Sequence, residues 1–144
     1  MSPSPVITAD LYPSLTYDDA PAAIEWLCRA FGFTKRLVVA GPDGSVIHSE
    51  LSFGNGVVMV SSPKPEDGRR SPARGGAAQC LSGYVADPDA HHATAIAAGA
   101  RMVRELRDEE YGSRGYMALD PEGHVWYFGD YRPGGYWQDP PPAA

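Results

Sequence analysis

Cysteine is almost missing from this chain: Cys28 and Cys80 are the only two in 144 residues. Two isolated thiols exclude a disulfide framework and a cysteine-rich zinc site. Cys28, on an apolar helix stripe, reads as a small buried hydrophobe. Positive charge is short as well. Twelve Lys and Arg stand against eighteen Asp and Glu, a net charge of −6, which argues against the broad basic face that nucleic-acid binding requires. The one basic cluster, Lys64, Arg69, Arg70 and Arg74, falls in Pro- and Gly-rich sequence and reads as a solvated linker, with an anion role as the lesser alternative. No apolar run is long enough to span a membrane, and no charged-then-apolar leader opens the chain. A cytoplasmic protein with neither nucleic acid nor membrane as partner is expected.

What the chain does have is weak internal repetition. Asp19 and Asp87 each open a helix-like stretch 68 positions apart, and Gly32 and Gly99 each close one at a shift of 67. The same shift carries Gly56, before Val57-Val58-Met59-Val60, onto Gly123, before His124-Val125-Trp126-Tyr127. Two copies of one unit explain all three landmarks. Each unit begins with a short alternating strand, Leu11 to Tyr17 and Gln79 to Val85, followed by an acidic helix cap with proline just inside. Ala20, Ile24, Leu27 and Phe31, with Ala23 and Cys28, make one apolar stripe at helical spacing. Three strands then follow the glycine stop: 35–40, 45–52 and 57–61 in the first unit, 101–106, 115–119 and 124–129 in the second. Pro42-Asp43-Gly44, Gly54-Asn55-Gly56 and Pro121-Glu122-Gly123 are their turns. The expected architecture is a single α+β domain of two βαβββ modules, forming a curved mixed sheet around a central cavity. Its parts are a first module over 10–62, a linker over 63–78, a second module over 79–132 and an extended tail over 133–144.

This pattern, with Asp120 to Trp126 as a final turn and strand and Ala30 to Phe33 as a helix end, resembles the vicinal oxygen chelate superfamily, the glyoxalase/bleomycin-resistance/dioxygenase fold. Tyr17-Asp18-Asp19-Ala20, His48-Ser49-Glu50-Leu51, Tyr111-Gly112-Ser113-Arg114 and Phe128-Gly129-Asp130-Tyr131 are similar to its PhnB-like and TioX-like branch. The resemblance implies metal ligands on the first and last strand of each module. Here those positions hold Tyr12 and Cys80 on the first strands, and Val60 and Tyr127 on the last. A divalent site needs several His, Asp or Glu side chains converging, so no metal and no cofactor is expected.

Alternation along the strands places Tyr12, Ser14 and Thr16 on one face with Cys80, Ser82 and Tyr84, completed by Val125 and Tyr127. His124, Trp126 and Phe128 then point to the helices. Such a surface suits a flat organic ligand held by ring stacking and hydroxyls; the plainer alternative is that the tyrosines fill a closed core. His48 and Glu50 share the cavity side if Ile47 and Leu51 take the helix side. They either bind ligand or serve as a base, or form an exposed polar pair. Arg114, near Tyr111, either clamps a ligand carboxylate or bridges to the acidic run Asp108-Glu109-Glu110. His91 and His92 are expected in solvent. Trp26, off the apolar stripe, is expected at an interface or against the linker, and the resemblance implies a homodimer.

The function expected from these readings is metal-free binding of a small, aromatic organic molecule, such as a drug or natural product. A metal-dependent lyase, isomerase or dioxygenase with an atypical site built from His48, Glu50 and Cys80 is the alternative. A ligand-responsive regulatory module is a third, lesser reading.

Overall fold

A computed structural model describes residues 7–133; the expected tail lies outside them beyond Pro133. The first module runs β1 (Ser14–Thr16), α1 (Ala20–Phe31), β2 (Thr34–Ala40), β3 (Val46–Phe53) and β4 (Gly56–Ser61). The second runs β5 (Cys80–Tyr84), α2 (Pro88–Ala97), β6 (Arg101–Asp108), β7 (Arg114–Leu119) and β8 (Val125–Gly129). Between them lie two single 3-10 turns, Pro65–Asp67 and Pro72–Arg74.

Local chemistry sets the helix ends. The Asp19 and Asp87 carboxylates accept from the amides of Ala22 and Ala90, three residues on, each satisfying a donor that has no intrahelical acceptor. Gly32 stops α1 in the left-handed region at φ 87°, where a side chain would be strained. The first strand is cut back furthest from expectation. β1 covers only Ser14–Thr16, because Pro13 has no N–H to place in a ladder. Its carbonyl still accepts from Met59 at 2.9 Å.

The strands form two four-stranded mixed sheets in the orders β1-β4-β3-β2 and β5-β8-β7-β6. In each, the first strand pairs parallel with the last and the remaining pairs are antiparallel. The α+β class and the paired βαβββ modules are therefore as expected. β1 and β5 are the inner edges. They flank a common seam rather than pairing with each other.

One apolar core serves both modules. Phe31 of α1 packs on Phe128 of β8 with ring centroids 4.7 Å apart, and Phe33 meets Phe53 and Trp126 at 5.1 and 5.5 Å. Burying each such ring contributes about 2–3 kcal/mol before chain entropy is subtracted. A polar knot joins the modules at one end. The fully buried Asp120 carboxylate accepts from the Tyr17 hydroxyl at 2.5 Å and the Trp126 indole at 3.0 Å. Its other oxygen accepts the amides of Glu122 and His124, both at 3.1 Å.

Three expectations are corrected here. Trp26 is buried, not at a surface: its indole N–H donates to the Ala98 carbonyl at 2.7 Å and its ring meets Phe31 edge-on. Contact between α1 and α2 covers that side of the helix, which a single-helix stripe does not register. His91 is likewise half-buried between the modules, with Nε2 against the Phe31 carbonyl at 2.7 Å and Nδ1 against the Tyr116 hydroxyl at 2.6 Å. His92 is also partly covered, by Tyr116 and Glu105. Among the described residues no helix is long and apolar enough to cross a membrane.

Candidate functional site

Strand register defines the sheet face turned away from the helices. In the second sheet Ser82, Tyr127, Met117 and Arg104 stand side by side across β5, β8, β7 and β6. In the first, Ser14, Met59, Glu50 and Leu37 make the corresponding row. The opposite face carries Leu51, Val58, Ala118 and Trp126, all buried in the core.

Tyr127 is the centre of the second row. The phenol end of its ring lies over Gly115 and Gly129; a Cβ at Gly115 would come within 2.3 Å of the phenol oxygen, so only glycine fits beneath it. The Arg104 guanidinium sits over the same ring, 5.7 Å from its centroid, in cation–π contact. Arg104 also pairs at 2.7 Å with Glu109, whose carboxylate is nearly buried and further contacted by Arg107. Burial, with smaller contributions from Tyr111 and Glu109, pushes the Tyr127 phenol well above its ordinary pKa, so it is a neutral donor at physiological pH. Both Tyr127 Oη and Arg104 Nε are buried, and neither completes a hydrogen bond. The Tyr111 hydroxyl acts on the Tyr127 phenol as a hydrogen-bonding neighbour, but outside the geometry of a well-formed bond. The Tyr111 ring is half-exposed and stacks edge-on with Tyr131.

The structure gathers several expected residues around the β1–β5 seam. Tyr12, Ser14, Cys80 and Ser82 line one groove of about 520 Å³ there. The Tyr12 hydroxyl donates to the Ala9 carbonyl, and burial raises the Cys80 thiol's pKa. Tyr84 lies farther along the seam under Arg132, whose guanidinium is 3.8 Å from the ring centroid. His48 and Glu50 lie across the first sheet from that groove, on the face opposite the buried Leu51 and Ser49, and hydrogen-bond each other at 2.8 Å. Ile47 is about half-exposed.

Arg114 does not join the group. Its guanidinium makes a two-pronged pair with Asp89 of α2, both contacts at 3.0 Å, and a third contact with Asp108. The basic linker is engaged too: Arg69 donates to Ser14 at 2.9 Å and Arg74 pairs with Asp18.

Arg104, Glu109, Arg132, Met59 and Met117 escape a reading by alternation. In β6 a register shift falls between Met102 and Arg104. Met102, opposite the buried Ala118, faces the core, while Arg104, two residues on, faces the other way. The same irregularity between Lys35 and Leu37 in β2 shows that the bulge belongs to the repeat. The parallel pairing of β1 with β4 also moves the landmark on β4. Met59, not Val60, shares the face of Ser14, and Val60 is fully buried on the other side. The one signal available was the 67-residue shift from Leu37 to Arg104.

The positions at which the fold family implies a divalent metal do not make such a site. They hold two phenols, a thiol and a thioether, a donor set without the histidines and carboxylates that such a site needs. Among the described residues no three His, Cys, Asp or Glu side chains converge.

Comparison with known proteins places this architecture. A family described as the glyoxalase/bleomycin resistance protein/dioxygenase superfamily matches residues 11–128. The uncharacterized proteins Mb0911c of Mycobacterium bovis and Rv0887c of Mycobacterium tuberculosis are each 36% identical over 123 residues. Those matches span 83% of this chain and 81% and 72% of theirs. The crystal structure of TioX from Micromonospora sp. ML1 is 34% identical, with a TM-score of 0.72 over 87% of this chain and all of that one. A glyoxalase/bleomycin resistance protein/dioxygenase family enzyme from Burkholderia phytofirmans PsJN, 21% identical, shares the fold at a TM-score of 0.66, over 82% of this chain and 94% of that one. The chain therefore belongs to the glyoxalase/bleomycin resistance protein/dioxygenase superfamily.

Proposed function

We propose that this chain binds a small, aromatic organic molecule on the open face of its second sheet, without a metal and without turning the molecule over. The observation that carries the reading is the pair of buried, unpartnered donors on one row, Tyr127 Oη and Arg104 Nε. A buried donor without an acceptor costs about 1–3 kcal/mol; both atoms are closed to solvent, so a ligand whose carbonyl or phenolic oxygen recovers part of that cost must displace the side chains that cover them. Met117 beside them supplies an adaptable apolar contact. Tyr111 and Tyr131 supply rings at the border. The binding unit in this reading is a homodimer, the second copy covering the exposed apolar strip of Leu37 and Val39 on the first sheet.

The test is titration calorimetry against a panel of aromatic natural products, followed by mass spectrometry of the recovered compound. One-to-one binding with unchanged compound is expected, and Tyr127→Phe should weaken it about tenfold, the worth of one hydrogen bond of about 1.4 kcal/mol. Conversion of the compound, or binding indifferent to Tyr127→Phe, refutes the proposal.

A further inference from the structure

The two ends of the β1–β5 seam are related by the internal repeat but are closed differently. At one end the β7–β8 turn reaches the start of the first module. The two Glu122 carboxylate oxygens accept the amides of Asp18 and Asp19 at 2.6 and 2.8 Å, and Ser71 adds a third donor at 2.6 Å. His124 closes the same end by contacting the Thr16 carbonyl at 2.9 Å. The ladder continues alike at both ends, since Tyr17 N–H donates to Ser61 and Val85 N–H to Gly129.

The closing carboxylate, however, is not repeated. Sixty-seven positions before Glu122 stands Asn55, whose amide is turned to Thr8 at 2.8 Å. Ala86 and Asp87, 68 positions after Asp18 and Asp19, find no side-chain acceptor for their amides among the described residues. At this end the turn Gly54-Asn55-Gly56 borders a cleft of about 300 Å³. Phe33, Phe53, Trp126 and Phe128 line its floor, Trp126 and Phe128 stacked on each other within 5° at 5.9 Å between centroids. Gly83 keeps one wall flat, because a Cβ there would come within 2.6 Å of the Phe128 ring. Arg132 stands at the mouth, stacked on Tyr84, and no ion pair holds it among the described residues.

We infer that this cleft is a binding site for a planar aromatic carboxylate. The rings take the aromatic body and Arg132, at the mouth, takes the carboxylate. An apolar slot of this size holds one or two fused rings, and a guanidinium already fixed on a ring offers its N–H edge for two-pronged pairing at little further ordering cost. The cleft is separate from the Tyr127–Arg104 row, so the inference stands without the preceding proposal.

The experiment is calorimetry on the full chain with 2-naphthoate and its neutral isostere 2-naphthamide. Naphthoate is expected to bind about tenfold tighter, equivalent to about 1.4 kcal/mol. Arg132→Gln should bring the two within about twofold while leaving the amide's affinity unchanged. Asn55→Glu, which restores a carboxylate of the chain's own, should weaken naphthoate alone. Tyr127→Phe should leave the naphthoate-to-naphthamide ratio as it is, which separates this site from the other. No naphthoate binding at millimolar concentration, equal affinities in the wild type, or a ratio that survives both Arg132→Gln and Asn55→Glu overturns the inference.

Discussion

Replacing Asp120 by Asn tests what holds the two modules together at the sealed end of the seam. The substitution keeps size and shape, so no cavity enters the result. As a carboxylate, Asp120 accepts four hydrogen bonds, two on each oxygen. An asparagine has one accepting oxygen and one donating amide. If the oxygen serves the Glu122 and His124 amides, the NH₂ faces the Trp126 indole N–H, which cannot accept. It also faces the Tyr17 hydroxyl, which can turn to accept. The opposite orientation sets the NH₂ against two backbone donors. Either way two bonds to a charged acceptor are lost, at about 1.5–3 kcal/mol each, and at most one neutral bond is recovered. The net loss is about 3 kcal/mol. For a chain of 144 residues the unfolding entropy is about 0.3 kcal/mol per degree, so Tm should fall by about 10 °C. Differential scanning calorimetry at pH 7.5 measures it directly. Tyr17→Phe removes one donor and should cost about half as much; in the Asp120→Asn background its effect should shrink by at least about 0.5 kcal/mol. A fall below 3 °C for Asp120→Asn, or strict additivity of the two, refutes the reasoning.

Two further outcomes follow from the packing. Burial lowers the pKa of His91 below its ordinary value, opposed in part by the hydrogen bond to the Phe31 carbonyl. The folded state therefore prefers the neutral ring, and its stabilisation is complete above about pH 6.5 and lost as pH falls from there through the lowered folded value. Thermal melts at pH 7.5 and 5.5 should show a larger drop for the wild type than for His91→Gln, and equal drops remove His91 as the cause. Val39→Lys places a charge on the apolar strip of the first sheet and should turn the proposed homodimer into a monomer in sedimentation velocity; a monomeric wild type removes that part of the proposal.

The repeat, the helix caps and the turns were legible because each is a local rule written in consecutive residues: Asp19 and Asp87 with their prolines, Gly32, and Pro121-Glu122-Gly123. The strand faces were legible where alternation runs unbroken, as along β5 and β8. Tertiary structure decided the rest. Bulges in β2 and β6 invert the parity, so Arg104 reaches the face of Tyr127 although Met102 points into the core. Packing of α1 on α2 buries Trp26 and His91, which helical periodicity alone assigns to the surface, because a helix with neighbours on two sides has no single dry face. Arg114 turns to Asp89, a residue 25 positions away whose proximity only the folded chain creates. Sequence thus determined which elements form and where they stop, since those depend on neighbouring backbone groups. Which side chains share a surface was left to the fold, because that depends on register and on contacts between distant segments.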